Sequence, residues 1–194
     1  KEEADVAFAK FVRKNYMSWM GNPDRRPMMS NDLFRKRVFP LLDKGEKVFM
    51  IVFDNLRYDQ WRMLYREIAG IFSSDEELYF SILPTATQYA RNAIFAGLMP
   101  LQIEEIFPGF WVDESENEGK NLKENELIAT QLARFRRKNS FSYSKVNDSQ
   151  AADRLLAQFS QLERNDLNVL VVNFIDILSH ARTEQKTVRE LAAD

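Results

Sequence analysis

The sequence predicts an α/β protein in which a mainly parallel sheet is covered by helices on both sides and is preceded by a helical segment. VFMIVF at 48–53 is a continuous apolar run, as expected of a strand buried on both faces of a parallel sheet, and LNVLVVNFI at 167–175 is a long, mostly apolar run. The segments between them carry helical periodicity. Strand alternating with helix is the order of elements that builds a parallel sheet.

The first part of the chain, residues 1–46, is predicted to be a helical linker that leads into the domain. Apolar residues recur at near-helical spacing from Val6 to Met20, and the two prolines of GNPDRRP then interrupt the chain. Ser30 is a suitable N-cap for a second helix that reaches about Leu42. A turn at KGEK then precedes the first strand.

Residues 47–194 are predicted to form the sheet domain. Besides the two apolar runs, we expect strands in ELYFSILP (77–84) and FSYSKV (141–146). Helices are expected within 55–72, 85–98, 122–138 and 148–162 and near the C-terminus. Residues 107–121 combine aromatic anchors with an acidic loop.

The composition excludes several classes of protein. With 27 Lys and Arg against 29 Asp and Glu, the net charge of −2 gives no electrostatic argument for nucleic acid or membrane as a general partner. The absence of cysteine excludes disulfides and thiolate metal sites and fits a reducing compartment. No apolar stretch approaches the roughly 20 residues that span a bilayer. We therefore expect a cytoplasmic protein without membrane insertion or sequence-specific DNA binding. The start without Met or signal peptide predicts a piece of a longer chain.

Candidate chemical groups follow three of the predicted strands. Asp54 ends one apolar run, Asp176 ends another, and Thr85 and Thr87 follow the third; His180, the only histidine, comes four residues after Asp176. If these strands are neighbours, the groups meet at one edge of the sheet. Oxygen ligands with an imidazole suit a divalent cation, zinc above all. A threonine hydroxyl beside such a metal can become a nucleophile.

Each of these groups also has a simpler structural interpretation. An aspartate at a strand end commonly forms a turn or caps a helix, and a threonine after proline commonly caps the next helix. A lone histidine is commonly a surface residue. A nucleotide-binding domain without hydrolase chemistry is disfavoured because the chain has no glycine-rich phosphate loop. Spacing alone therefore predicts an α/β domain of unassigned function.

Two segments together resemble a known family. VFMIVFDNLRYDQW and LPTATQYARNAIFAGLMP resemble the PglZ domain, a branch of the alkaline phosphatase superfamily. The second segment also resembles the nucleophile segment of nucleotide pyrophosphatase/phosphodiesterases, in which a threonine lies between strand and helix and Gly-Leu-x-Pro follows. IDILSH resembles the superfamily's Asp-x-x-x-His metal element. The resemblance implies an alkaline phosphatase-like three-layer αβα sandwich over residues 47–194.

The resemblance also implies a two-zinc centre and a reaction. Asp54 and Thr87 would bind one zinc ion, and Asp176 and His180 the other. Thr87, rather than Thr85, would be the nucleophile of a phosphodiesterase or phosphatase that forms a phosphothreonine. Arg91 and Asn92 are candidate donors to a nonbridging phosphate oxygen.

The later ligands of the superfamily, an Asp-His pair and a further His, are missing after His180. We therefore expect a truncated domain whose C-terminal remainder is absent. Such a fragment would be inactive, with a partial or empty zinc site.

A narrower resemblance concerns the PorX-type response regulators of the type IX secretion system, in which a receiver domain precedes a helical linker and a PglZ domain. It implies a substrate of the oligonucleotide phosphodiester class, an upstream receiver domain, and a homodimer or a secretion or transcription partner. The alternative is a non-catalytic signalling or dimerisation module that binds such a partner. The cluster RFRRK at 134–138 either helps to bind an anionic chain or forms a solvated helix end.

Overall fold

The computed structural model describes residues 2–110 and 123–179. Eight α-helices and three strands are assigned within these ranges. They are α1 (Glu2–Gly21), α2 (Phe39–Asp43), β1 (Val48–Phe53), α3 (Tyr58–Ile68), α4 (Thr87–Ala96), α5 (Pro100–Ile106), α6 (Glu124–Arg134), β2 (Phe141–Val146), α7 (Ser149–Ala157), α8 (Phe159–Leu162) and β3 (Leu167–Val172). Residues 174–179 are also helical.

The strands form one parallel sheet in the order β1-β3-β2, so β3 lies in the middle. Val48 pairs with Leu167 and Phe53 with Val172, which brings β1 and β3 to an end at the same level. Leu167, Val169 and Val171 of this central strand are fully buried. The predicted α/β fold with a mainly parallel sheet is confirmed.

The chain divides into two compact units. The first lies within Lys1–Leu33 and Glu77–Leu122, and the second within Phe34–Glu76 and Lys123–Asp194. In the first unit, Met29, Ile82 and Ala93 form a buried cluster, against which Tyr16, Met20, Phe80 and Met99 pack. The second unit contains the sheet, together with the fully buried Leu127 and Ile128 of α6. The domain boundary expected at residues 46 and 47 stays a prediction.

The strand expected in ELYFSILP is wrong. Phe80 makes only a single parallel bridge with Met29. The next two backbone amides donate to side chains: Ile82 to the Ser30 hydroxyl at 3.1 Å and Leu83 to the Tyr16 hydroxyl at 2.9 Å. Side chains therefore accept the hydrogen bonds that a neighbouring strand would otherwise accept.

The helix expected from Ser30 is broken into three short pieces. Ser30–Asp32 is a 3₁₀ turn, Phe34–Val38 a π-helical turn, and α2 follows directly. Met29, rather than Ser30, occupies the N-cap position. The Asp32 carboxylate accepts from the Met29 amide at 3.0 Å, which leaves the Ser30 hydroxyl to the distant Ile82. The expectation that Ser30 caps a helix is therefore wrong.

The other expected helices are present in the described ranges. Asp148 caps α7, where its carboxylate accepts from the Ala151 amide at 2.7 Å. Within the expected aromatic loop, Pro108–Phe110 forms a 3₁₀ turn and the rings of Phe107 and Phe110 stack at 5.4 Å. The remainder of that loop, 111–121, lies outside the described residues, as does the part of the chain beyond 179 in which the last helix is predicted.

Candidate functional site

Asp54 stands directly after β1 at the carboxyl edge of the sheet. Its backbone amide donates to the Val172 carbonyl at 3.0 Å, which continues the ladder between β1 and β3 by one bond. Asn55 then adopts φ 57°, in the left-handed region that asparagine tolerates better than most residues. The chain thus turns away from the sheet immediately after Asp54 and leads into α3. The Asp54 side chain is half-buried at this turn.

Asp176 follows β3 at the same edge. The Asn173 amide donates to the Val146 carbonyl at 3.0 Å, and its side-chain amide donates to the Asn147 side chain at 3.0 Å. The Ile177 amide then donates to the Asn173 carbonyl at 3.0 Å, which closes the first helical turn. Asp176 is half-buried within this turn. Its position is therefore fixed by contacts between the ends of β2 and β3.

The two acids follow neighbouring strands that run in the same direction. Since Phe53 lies opposite Val172, Asp54 and the turn that contains Asp176 leave the sheet at the same level. In parallel sheets, ligands bind beyond the carboxyl ends of the strands. Two half-buried carboxylates at that edge supply hard oxygen donors of the kind that zinc and other divalent cations accept.

Thr87 is the first residue of α4. The N-cap is Ala86, which has no side-chain acceptor, and Thr85 before it is exposed. Neither threonine therefore occupies the N-cap position that the simpler interpretation gave them. Thr87 is half-buried at the helix N-terminus, where the helix dipole favours negative charge.

The Gly-Leu-x-Pro element ends α4 and starts α5. Gly97 has φ 61°, a left-handed conformation that glycine adopts without strain, and its amide donates to the Ala93 carbonyl at 2.9 Å. Pro100 is the first residue of α5, a position that needs no backbone donor. This element fixes the length of the helix that begins at Thr87.

Arg91 and Asn92 lie in the middle of α4, in a stretch that is buried from Ala90 to Ala96. Each is only 6% exposed. The Oδ1 atom of Asn92 is buried without a hydrogen-bond partner in the described part of the chain. Their role in substrate binding stays a prediction.

The four expected metal ligands are distributed over both units. Thr87 belongs to the first unit, Asp54 and Asp176 belong to the second, and His180 lies outside the described residues. Within 2–110 and 123–179, no group of three or more His, Asp or Glu side chains could hold a metal ion. The convergence of all four groups on a cation therefore stays a prediction.

Charged groups that follow Asp54 are engaged with local partners. Arg57 forms a two-point pair with Asp59 at 2.9 and 3.0 Å, and this hydrogen bonding holds the pKa of Asp59 below its usual value. The Tyr58 hydroxyl, followed by Arg62, lowers the pKa of Glu76 in the same way. These pairs hold both acids in contacts local to α3.

The basic cluster at 134–138 contains one structural arginine. Arg137 forms a two-point ion pair with Asp43 at 2.8 and 3.0 Å, and its guanidinium lies 4.1 Å from the centre of the Phe39 ring. Arg137 therefore joins the end of α6 to α2. This contact gives the cluster a packing role and takes one cation away from a binding surface for an anionic chain.

Two residues that support the threonine segment carry no recognisable signal in the sequence. Tyr16 and Ser30 bind the backbone just before Pro84, across separations of 67 and 52 residues. The sequence pattern places Tyr16 only within the first predicted helix and predicts Ser30 only as a helix cap. Long-range hydrogen bonds of this kind have no periodicity that a sequence pattern could reveal.

The small parallel sheet, with carboxylates beyond its carboxyl edge, is consistent with an alkaline phosphatase-like α/β fold. Residues 33–194 match the family model described as the BREX system PglZ alkaline phosphatase-like domain. Because the match covers most of the sequence, the chain belongs to the PglZ family. A search of curated proteins finds no matching relative. In the described ranges, no helix combines the length and apolar character needed to cross a membrane.

Proposed function

We propose that this chain supplies the nucleophile and part of the metal site of a metal-dependent phosphodiesterase. The observation that carries the proposal is the placement of Asp54 and Asp176 beyond the ends of the adjacent strands β1 and β3. Membership of an alkaline phosphatase-like family supports the reaction class. Thr87, at the start of α4, is the proposed nucleophile.

The proposed metal is zinc, in two ions. Asp54 and Thr87 would hold one ion, and Asp176 and His180 the other. Carboxylate and imidazole donors fit zinc, which takes about four ligands, so these groups need further donors from the native protein. When bound, zinc lowers the pKa of a coordinated hydroxyl or water and stabilises negative charge on phosphate oxygens.

The proposed reaction consists of two displacements at phosphorus. The Thr87 hydroxyl loses its proton, and its oxygen forms a bond to phosphorus while the bond to the leaving alcohol oxygen breaks; the alcohol takes up a proton. Water then attacks phosphorus of the resulting threonine-linked phosphodiester, the bond between phosphorus and the Thr87 oxygen breaks, that oxygen takes up a proton, and the phosphomonoester is released. The helix N-terminus at Thr87 favours the negative charge that develops there.

Arg91 and Asn92 are the proposed donors to a nonbridging phosphate oxygen. Because each side chain is only 6% exposed to solvent, the two could contact a phosphate only if the protein encloses it. Charge-assisted hydrogen bonds are strongest in such water-poor surroundings. The proposed substrate is a phosphodiester of the oligonucleotide type.

We further propose a cytoplasmic response regulator of the PorX type as the cellular setting. In it, an upstream receiver domain controls this effector part and thereby secretion, with a homodimer or a secretion or transcription partner. The alternative is a signalling or dimerisation module of the same fold without catalysis. Zinc content separates the two: about two zinc ions per native chain supports the enzyme, and none supports the module.

The direct test replaces Thr87 with valine, which keeps the shape and removes the hydroxyl. In the native full-length protein, Thr87→Val is expected to reduce cleavage of a short oligonucleotide to background. Thr85→Val is the matched control, because Thr85 is an exposed threonine two residues earlier. Mass spectrometry of the wild type quenched during turnover should find a nucleotidyl or oligonucleotidyl phosphate group on the peptide that contains Thr87. Wild-type cleavage by Thr87→Val would refute the assignment.

A further inference from the structure

Two hydroxyl groups hold the backbone that leads to Thr87. The Ile82 amide donates to the Ser30 hydroxyl at 3.1 Å, and both residues are buried, at 1% and 0% exposure. The next amide along the chain, that of Leu83, donates to the Tyr16 hydroxyl at 2.9 Å. Consecutive residues are thus tied to two different elements, the 3₁₀ turn and α1.

The turn that carries Ser30 is itself fixed. The Asp32 carboxylate accepts from the Met29 amide at 3.0 Å and pairs with Arg26 at 3.1 Å. Both side chains of this ion pair are almost fully buried, at 4% and 5% exposure. The Phe80 amide donates to the Met28 carbonyl at 2.8 Å. Ser30 therefore presents its hydroxyl to Ile82 from a rigid turn.

Tyr16 is held by aromatic contacts. The ring of Trp19 lies 4.7 Å from that of Phe80 and 6.3 Å from that of Tyr16. Phe8 and Phe11 also approach Phe80, at 6.2 and 6.3 Å. Helix α1 has no fully buried residue, and these rings join it to Phe80. Because Tyr16 belongs to α1, the contacts that hold this helix also hold the Tyr16 hydroxyl in place.

The path from these bonds to Thr87 is short. Pro84, Thr85 and Ala86 separate Leu83 from Thr87. The proline ring restricts the backbone of this connection. Ile82 packs in the same buried cluster as Ala93 of α4, the helix that Thr87 begins. A shift of residues 82–83 therefore displaces the start of α4.

We propose that Ser30 and Tyr16 are positioning residues for Thr87, an inference that rests on the proposed function. Neither residue touches the reacting atoms in this scheme. They fix the backbone from which the Thr87 hydroxyl is presented. Misplacement of a reacting group by about 1 Å can cost roughly 100-fold in rate. The loss should fall on kcat, because the groups that bind substrate are unchanged.

The test compares Tyr16→Phe and Ser30→Ala with Tyr65→Phe and Ser160→Ala in the native full-length protein. Tyr65, whose ring packs beside Trp61 at 5.8 Å, and the exposed Ser160 lie in the second unit and serve as matched controls. Both test variants are expected to lower kcat for oligonucleotide cleavage by about 10- to 100-fold with little change in KM. Backbone amide exchange should become faster at Leu83 in Tyr16→Phe and at Ile82 in Ser30→Ala. If Ser30→Ala fails to fold, Tyr16→Phe alone tests the proposal. The hydrogen bond of Tyr16 lies near the surface, so we expect this variant to fold.

The outcomes separate this proposal from the one on which it rests. If Thr87→Val is inactive and the two test variants match their controls in kcat, the proposed function stands and the positioning role is overturned. If Thr87→Val cleaves as well as the wild type, the proposed function fails and the positioning role fails with it. A rise in KM with unchanged kcat would also overturn the positioning role. So would unchanged rates of backbone amide exchange at Ile82 and Leu83.

Discussion

The backbone amide of Asp54 donates to the carbonyl of Val172 at 3.0 Å, one residue beyond the paired strands β1 and β3. This bond fixes the end of β1 against the end of β3, from which the chain turns into the helical residues that carry Asp176. Both carboxylates thus owe their positions to the same edge of the sheet. The proposed metal site depends on this arrangement.

Replacement of either acid by asparagine should remove zinc without unfolding the protein. Asp54→Asn and Asp176→Asn keep the side-chain shape and backbone bonds but lose the charge that binds a cation. In the native full-length protein, each is expected to retain less zinc per chain than the wild type by elemental analysis, with an unchanged circular dichroism spectrum.

Asp59→Asn is the control for this experiment, because Asp59 is an exposed acid of α3 that pairs with Arg57. It should keep the zinc content of the wild type. If Asp54→Asn and Asp176→Asn also keep it, neither acid is a ligand.

Because Glu124 is buried and pairs with Lys145, we expect removal of the Lys145 charge to reduce the stability of the protein strongly. Glu124 is fully buried, its carboxylate pairs with the Lys145 ammonium at 2.9 Å, and it also accepts from the Tyr143 hydroxyl. Loss of one partner leaves a buried charge poorly compensated, which typically costs about 3–5 kcal/mol. Lys145→Met should lower the free energy of unfolding in urea by about that amount.

Lys138→Met provides the comparison, since Lys138 is exposed beyond α6. Its effect should stay within about 0.5 kcal/mol. Equal stability of the two variants would show that the pair with Glu124 contributes little.

Asp166 predicts a specific dependence of stability on pH. The Ser140 amide, the Ser140 hydroxyl and Lys47 all interact with its carboxylate, and these contacts hold the pKa of Asp166 below the ordinary value of 3.8. A group whose pKa is lower in the folded state stabilises the protein above its unfolded-state pKa. That stabilisation is lost as the pH falls through the folded-state pKa.

Asp166→Asn should therefore be less stable than the wild type at neutral pH, and the difference should shrink as the pH falls below about 4. Thermal unfolding between pH 2 and 7 measures this. The control is Asp153→Asn, at an exposed position of α7. A difference that is independent of pH would contradict the assignment.

The strands of the sheet could be predicted from the sequence because each has a recognisable pattern of apolar residues within its own segment. VFMIVF is a continuous apolar run, LNVLVV is apolar except for one asparagine, and FSYSKV is bounded by polar residues. Burial of β3 on both faces, from Leu167 to Val171, explains why its run has no alternation. Asp54 and Asp176 could be located because they directly follow such runs.

Residues 77–84 and Ser30 could not be predicted correctly, because distant side chains decide their conformation. ELYFSILP has the composition of a strand, yet the Ser30 and Tyr16 hydroxyls accept its hydrogen bonds. Ser30 has the chemistry of a helix cap, but the Asp32 carboxylate binds the turn at Met29 instead. Local propensity is the same in either arrangement, so only tertiary contacts distinguish them.

The most direct test of the central claim is a crystal structure of the zinc-loaded native protein with anomalous scattering measured at the zinc edge. The account predicts two zinc ions roughly 4 Å apart. One should lie about 2.0–2.2 Å from carboxylate oxygens of Asp54 and beside the Thr87 hydroxyl, and the other beside Asp176 and His180. Zinc bound elsewhere, or Asp54, Asp176 and Thr87 directed at different surfaces of the zinc-loaded protein, would contradict it.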